Sequence, residues 1–378
     1  MQILKKTNLR AFKKAKLLGS NGVLSLLGKK ELLGRGGAAF PIAKKWEFAL
    51  AKKADAKYVI CNADEGEPGT FKDKYIIENN PKTLIEGIII AAHVIQAKKA
   101  FIYLRGEYEY LERHLQKAIK ETLRDAQADI DIEIVCGAGA YVCGEETAII
   151  RSIEGSRGQP YYRPPFPPVE GLWGMPTVIN NVETLTNVPQ AMIYDNWDKD
   201  LRLMSLSGNV TKPGIYEMPI GTPLSKLIAL GKPRKEIKAI YFGCFGGCMP
   251  YEDIDLTSEN VCGLSCAIGS YTIVVVDEDQ SIPHVAESIA KFYEHESCGK
   301  CTPCREGTVR ILDLIKKINA GDANMADIEI LQDLAEHIHE TSLCGLGQTA
   351  TSHVLTALKY FKNEFEAKMK GQCADPSS

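Results

Sequence analysis

The sequence predicts an α/β protein: a largely parallel sheet with helices, then a small α+β module, then a helical bundle. Three observations carry that reading. Helix-like and strand-like patterns alternate over residues 34–196, the texture changes to short strands and tight turns from residue 201, and apolar residues recur at helical spacing after residue 281.

In chain order, residues 1–18 are rich in lysine and arginine but have no uninterrupted apolar core and no small-residue cleavage site. That predicts a basic surface helix and no secretory signal. An amphipathic stretch at 43–54, an apolar run at 57–61, a helix at 81–96, a strand at 100–104, a charged helix at 108–126 and a strand at 130–135 build the parallel layer. The longest apolar run, 84–95, is interrupted by Glu86 and His93 and is too short for a bilayer, so a buried helix is expected. Prolines over 163–174 fix φ and remove donors, which predicts an extended loop. Strands at 204–207, 215–218, near 239 and at 271–276, with a short helix at 223–230, form the small module. A helix over 283–293, stripes at Ile311, Leu314, Ile315, Ile318 and at Ile328, Leu331, Leu334, and a last helix over 354–365 make a four-helix bundle.

With 378 residues and 45% hydrophobic content the chain can bury the cores of two or three domains, and its net charge of -3 gives no reason to expect nucleic acid or direct membrane insertion. Twelve cysteines in a chain of this kind point to reduced thiolates acting as ligands and to a cytoplasmic location. No G-x-S-x-G elbow or His-Glu-x-x-His pattern is present, and His337 and His339 fall on different helix faces, so hydrolase readings lose support.

Cys298, Cys301 and Cys304 lie in one loop, with Cys344 as a distant fourth thiol; this spacing favours a [4Fe-4S] cluster over zinc, whose sites use paired knuckles. A second set, Cys244, Cys248, Cys262 and Cys266, is compatible with zinc, another cluster or unligated core thiols. Residues 34–40 match G-x-G-x-x-A but do not follow a strand, which rules out the simple dinucleotide fingerprint. Their glycines still admit a phosphate or flat ring close to the backbone at a helix start, with Arg35 and Lys45 adding charge. Asp64, Glu65, Glu67, Glu145 and Glu146 suit ribose hydroxyls and polar ring edges, or alternatively helix capping.

Seven segments together, GRGGAAFPIAKKW (34–46), CNADEGEPGTFKD (61–73), YLRGEY (103–108), GAGAYVCGEETA (137–148), PPFPPVEGLWG (164–174), TVINNVET (177–184) and SCGKCTPCREG (297–307), closely resemble the flavin subunit of respiratory complex I. The same subunit type occurs in NAD-linked and electron-bifurcating hydrogenases and formate dehydrogenases. The resemblance covers about residues 30–365 and implies a Rossmann-like FMN domain (1–198), a β-grasp module of the soluble-ligand-binding type (199–280) and a bundle holding the cluster (281–370), with a tail at 371–378. It implies that Gly34, Arg35, Gly36, Lys45, Asn62, Asp64, Gly144, Asn180 and Asn181 surround FMN. It further implies that Gly37, Phe40, Phe48, Glu67, Tyr141, Glu146 and Phe166 receive NADH, with Glu146 favouring NAD(H) over NADP(H). Hydride then passes between nicotinamide and flavin, and single electrons between flavin and cluster. The sequence carries Ala39 where the family has a third loop glycine, and it shows no further ferredoxin-like or thioredoxin-like cluster domain; Cys373 alone cannot build one. The implied partners are a small thioredoxin-like [2Fe-2S] subunit and a third catalytic subunit, with ferredoxin as an additional partner if the assembly bifurcates. The competing reading is a flavin-free assembly or ligand-binding module on the same fold.

Overall fold

A computed structural model describes residues 1–369, and the chain divides into two compact units: Met1–Gly66 with Phe71–Leu201, and Glu67–Thr70 with the chain from Arg202 onward. The first unit contains, in order, α1 (Arg10–Lys29), α2 (Ile42–Ala51), β1 (Tyr58–Ala63), α3 (Lys72–Asn79), α4 (Pro81–Ile95), β2 (Lys99–Leu104), α5 (Glu112–Ala126), β3 (Asp131–Cys136), α6 (Glu146–Ile153), β4 (Thr177–Asn181) and α7 (Val182–Ile193). The strands form one fully parallel sheet in the order β3-β2-β1-β4. Parallel strands end on one edge, so the loops after β1, β3 and β4 leave from the same side. The register sets Asn62 beside Asn181 and Cys61 beside Asn180.

Helix α4 is the expected buried apolar helix, with Pro81 at its first turn and Gln96 in the left-handed conformation closing it. Glu86, which interrupts that apolar run, is buried for a reason. Its carboxylate accepts from the backbone N–H groups of Leu9 at 3.1 Å and Phe12 at 2.9 Å and from the Thr7 hydroxyl, and so serves the otherwise uncapped start of α1. Gly87 lets α4 meet α7 at backbone contact: a Cβ there would fall 2.0 Å from the carbonyl oxygen of Leu185.

The second unit contains β5 (Leu201–Gly208), β6 (Gly214–Pro219), α8 (Leu224–Gly231), β7 (Ile237–Phe242), β8 (Cys248–Pro250), α9 (Ser258–Gly263), β9 (Thr272–Asp277), α10 (Ile282–Glu296), α11 (Thr302–Ala320), α12 (Met325–Thr341), α13 (Gly345–Thr349) and α14 (Ser352–Met369). Its mixed sheet runs β6-β5-β9-β7-β8, with β5 parallel to β9 and β7 antiparallel to both β9 and β8. Met204, Leu206, Leu227, Ile240 and Ile273 fill one core under α8. Ile315, Ile318, Leu331, Ile338, Val354 and Phe365 fill the bundle core, which continues onto Tyr241 and Val276 of the sheet. The stop at Gly321 (φ 82) and the Asn324–Asp327 capping box set the turn between α11 and α12.

The α/β class, the second sheet and the helical C-terminal region are as the sequence predicts. Helix α3, strand β4 and helix α7 are not legible individually: β4 is five residues long and passes directly into α7, Asn181 being both its last residue and the N-cap of the helix, so no loop separates the two. Cys373 and the tail lie outside the described residues.

Candidate functional site

In the first unit the site grows from the C-terminal edge of the parallel sheet. Asn62 Nδ2 donates to the carbonyl of Gly144 at 2.8 Å, and its Oδ1 accepts from the Asp64 N–H at 3.1 Å, so the loops after β1 and β3 are fastened to each other. Gly36 packs so closely on Asn181 that an added Cβ would lie 3.2 Å from that side chain. Gly37, at φ +108, faces open space, leaving the glycine loop accessible on one side. The loop is closed by the Gly34 N–H donating to the Phe40 carbonyl at 2.9 Å. Ala39 adopts φ 49 in the left-handed region, so the chain accepts a strained alanine in this loop.

Charge is distributed asymmetrically. Lys45 Nζ donates to the Ile179 carbonyl at 2.7 Å and pairs with the Glu146 carboxylate, while the Arg163 guanidinium stands 4.0 Å from the other Glu146 oxygen. Arg35 is buried, with its N–H on Thr184 Oγ1 and Nη2 on the Lys199 carbonyl, both at 2.8 Å. Asn180 is held by the Trp46 indole N–H at 2.8 Å. Phe40, Phe48 and Phe166 are all about half exposed, and Arg163 lies over the Phe166 ring at 5.8 Å. Tyr141 packs against Gly66, where a Cβ would come within 2.7 Å of its ring.

The acidic residues divide by task. Glu145 accepts from the N–H groups of Thr147 at 2.8 Å and Ala148 at 3.0 Å, and Glu65 accepts from those of Asp73 at 2.9 Å and Lys74 at 3.0 Å, so both carboxylates cap helices. Glu65 is buried, and desolvation, reinforced by Asp73, pushes it up to about 7. Close by, Lys72 Nζ meets Asp73 at 2.7 Å and Glu183 at 3.1 Å, and it donates to Asn181 Oδ1 at 3.3 Å. Burial works against this ammonium, but the carboxylates of Asp73, Glu183 and Glu65 outweigh it and raise its pKa. Lys72, Asp73 and Arg105, whose Nη1 donates to the Glu65 carbonyl, hold the loop after β1 and were passed over by motif reading, although they lie inside the segments that carry the resemblance.

Glu67 belongs with the second unit. Its carboxylate is enclosed by the Cys244 N–H at 3.1 Å, Thr70 Oγ1 at 3.1 Å and Ser270 Oγ at 2.8 Å, and burial pushes it up to about 7.

At the end of the bundle, Cys298, Cys301 and Cys344 are half-buried and Cys304 is buried. Burial pushes the Cys304 thiol up to about 11; Ser297, 3.3 Å away, works the other way, and Cys301, Cys344 and Cys298 push it up further, so all four sulfurs lie within electrostatic reach. Among the described residues no three His, Cys, Asp or Glu side chains converge tightly enough for a single ion. A cubane places each thiolate on a different iron, so a donor set of four soft sulfurs within electrostatic reach, and not converging on one point, fits the cluster. The second cysteine set is dispersed over separate partners: Cys244 on Glu67 and Tyr293, Cys248 on Thr356, and Cys266 on the Cys248 carbonyl.

Comparison with known proteins agrees with this layout. The Nuo51 FMN-binding domain matches residues 27–190, the NADH-ubiquinone oxidoreductase-F iron-sulfur binding region matches 284–368, and an SLBB domain matches 204–231. These define an oxidoreductase component that uses FMN, a [4Fe-4S] cluster and NADH. The chain is 40% identical over 401 residues to the NADH-quinone oxidoreductase F subunit of Aquifex aeolicus (strain VF5), covering 99% of this chain and 92% of the relative. It is likewise 40% identical over 370 residues to the NADP-reducing hydrogenase subunit HndC of Solidesulfovibrio fructosivorans, covering 91% and 75%. The chain belongs to the family of NADH-quinone oxidoreductase F subunits. A crystal structure of an NAD+-reducing [NiFe]-hydrogenase in the air-oxidized state superposes with a TM-score of 0.85 at 37% identity over 93% of this chain. The chain spans 63% of that hydrogenase chain. Among the described residues no helix is long and apolar enough to cross a membrane.

Proposed function

We propose that the chain is the NADH-oxidising, FMN- and [4Fe-4S]-bearing subunit of a multi-subunit complex in the cytoplasm, passing electrons to a small thioredoxin-like [2Fe-2S] subunit and a third catalytic subunit. The observation that carries this reading is the gathering of Asn62, Asp64, Gly144 and Asn181 with the glycine loop and Lys45 on one edge of a parallel sheet. Four thiols at one end of the bundle supply the acceptor site. The division into modules at 1–198, 199–280 and 281–370 is proposed with it, supported by the SLBB match inside the middle segment.

FMN bound at this edge would supply a hydride acceptor for nicotinamide that can pass electrons on singly. The chain supplies orientation. Backbone N–H groups of the glycine loop and the Lys45 ammonium receive the phosphate, and the amides of Asn62 and Asn181 fix the polar ring edge. The half-exposed faces of Phe40, Phe48 and Phe166 receive the adenine. Glu146, already bound to Lys45, accepts from a free ribose hydroxyl and repels a 2'-phosphate.

Anaerobically purified protein should contain FMN, its yellow colour should bleach with NADH, and an iron–sulfur EPR signal should appear on reduction. Cys304→Ala should lose the signal and the iron while keeping flavin. Purified protein unable to take up any flavin would overturn the reading in favour of a flavin-free module.

A further inference from the structure

Cys244 has no part in the proposed electron-transfer chemistry, yet within the second unit it occupies the middle of a line of polar groups. Glu67 Oε1 accepts from the Cys244 N–H at 3.1 Å and lies 4.0 Å from its Sγ. That sulfur is 3.7 Å from the Tyr293 hydroxyl, which is 3.5 Å from Thr349 Oγ1. Thr349 in turn donates at 2.7 Å to the carbonyl of Gly345, the residue that follows Cys344. Glu67, Cys244 and Tyr293 are 8%, 3% and 1% exposed, and Thr349 is half-buried.

The Tyr293 ring is fixed by His353, stacked on it at 6.0 Å with 6° between the planes. His353 is fully buried and its pKa is lowered by desolvation to about 3, so it places a neutral ring there. The Tyr293 O–H can donate toward Cys244 or toward Thr349, which gives the line two senses of polarisation. In a dry interior such dipoles reinforce one another. The groups around Glu67 are the neutral donors Thr70, Ser270 and the N–H groups of Cys244 and Phe245, and the titratable groups along the line are Cys244, Tyr293 and His353.

We propose that Glu67, Cys244, Tyr293 and Thr349 form a buried hydrogen-bond relay through which the protonation of Glu67 and the charge carried at the Cys344 end of the cluster site bias each other. The inference rests on the cluster reading above. As an electron supplied by NADH arrives at the cluster site, the Glu67 carboxylate takes one proton from water and forms one O–H bond. On reoxidation both leave, and no covalent bond along the line breaks. Cys244 and Tyr293 are positioning residues. Burial keeps Glu67 titrating near neutrality, where this exchange can occur.

The test is an EPR-monitored redox titration of the anaerobic holoprotein on both sides of neutral pH. The midpoint of the cluster should fall as pH rises in the wild type, and Tyr293→Phe, which removes only a hydroxyl, and Glu67→Gln should each abolish that dependence with iron content and line shape unchanged. A pH-independent wild-type midpoint, or the same slope in Tyr293→Phe, overturns the relay. A second readout needs no cluster. The infrared S–H band of Cys244, identified by its loss in Cys244→Ala, should shift across the same pH range and stop shifting in Glu67→Gln; a band indifferent to pH also overturns the proposal. Failure to detect any cluster counts against the proposed function, and the S–H band then decides the relay by itself.

Discussion

Lys72 and Glu183 form an ion pair at 3.1 Å with side chains only 2% and 4% exposed, next to the loop that carries Asp64 and Glu65. Asp73 shares the same ammonium at 2.7 Å, so one cation balances two buried carboxylates. Truncating one partner of such a group leaves the others desolvated and uncompensated. Lys72→Met should therefore destabilise the protein by about 3–5 kcal/mol, read as a lowered denaturation midpoint. A shift of the size typical of surface lysines would contradict this account of the cluster.

Glu67 predicts a pH effect of definite sign. Its folded pKa is raised from 4.5 to about 7 by burial, so between these values the folded chain holds a proton that the unfolded chain has released. Stability from this group is present below about pH 4.5 and is lost as pH rises through about 7. Glu65 acts in the same direction, so Glu67→Gln should remove only part of the slope, on the order of 1–3 kcal/mol. Denaturation midpoints in mildly acidic and mildly alkaline buffer measure it, and identical slopes in both proteins would reject the assignment.

Ala39 occupies the left-handed region at φ 49, where a side chain costs roughly 1–2 kcal/mol that glycine avoids. Ala39→Gly should raise thermal stability by an amount of about 1 kcal/mol, reduced by the added freedom of the unfolded chain. FMN should still bind. A destabilised variant would mean that the methyl group makes contacts that outweigh the strain.

Glu146 should set cofactor choice. Glu146→Gln removes the carboxylate and leaves Arg163 nearby, so a 2'-phosphate would meet a cation in place of a carboxylate. The ratio of NADPH to NADH kcat/KM should rise about tenfold or more, a change of roughly 1.4 kcal/mol. An unchanged ratio, measured in the holoprotein, would remove Glu146 from the specificity site.

The sequence alone determined the α/β class, the small α+β module, the helical C-terminal region and the family, because periodicity and ordered motifs are local signals. Its spacing rule also singled out Cys298, Cys301, Cys304 and Cys344. The same rule left Cys244, Cys248, Cys262 and Cys266 ambiguous, since spacing does not report where a thiol points. Only the tertiary structure sent Cys244 toward Glu67 and Tyr293, and Cys248 toward Thr356. It likewise decided that Glu65 and Glu145 cap helices and that Glu86 serves the start of α1. A buried carboxylate takes whatever donors the folded chain brings to it, and Glu86 meets the N–H of Phe12 from 74 positions away. No local pattern in the sequence encodes that meeting.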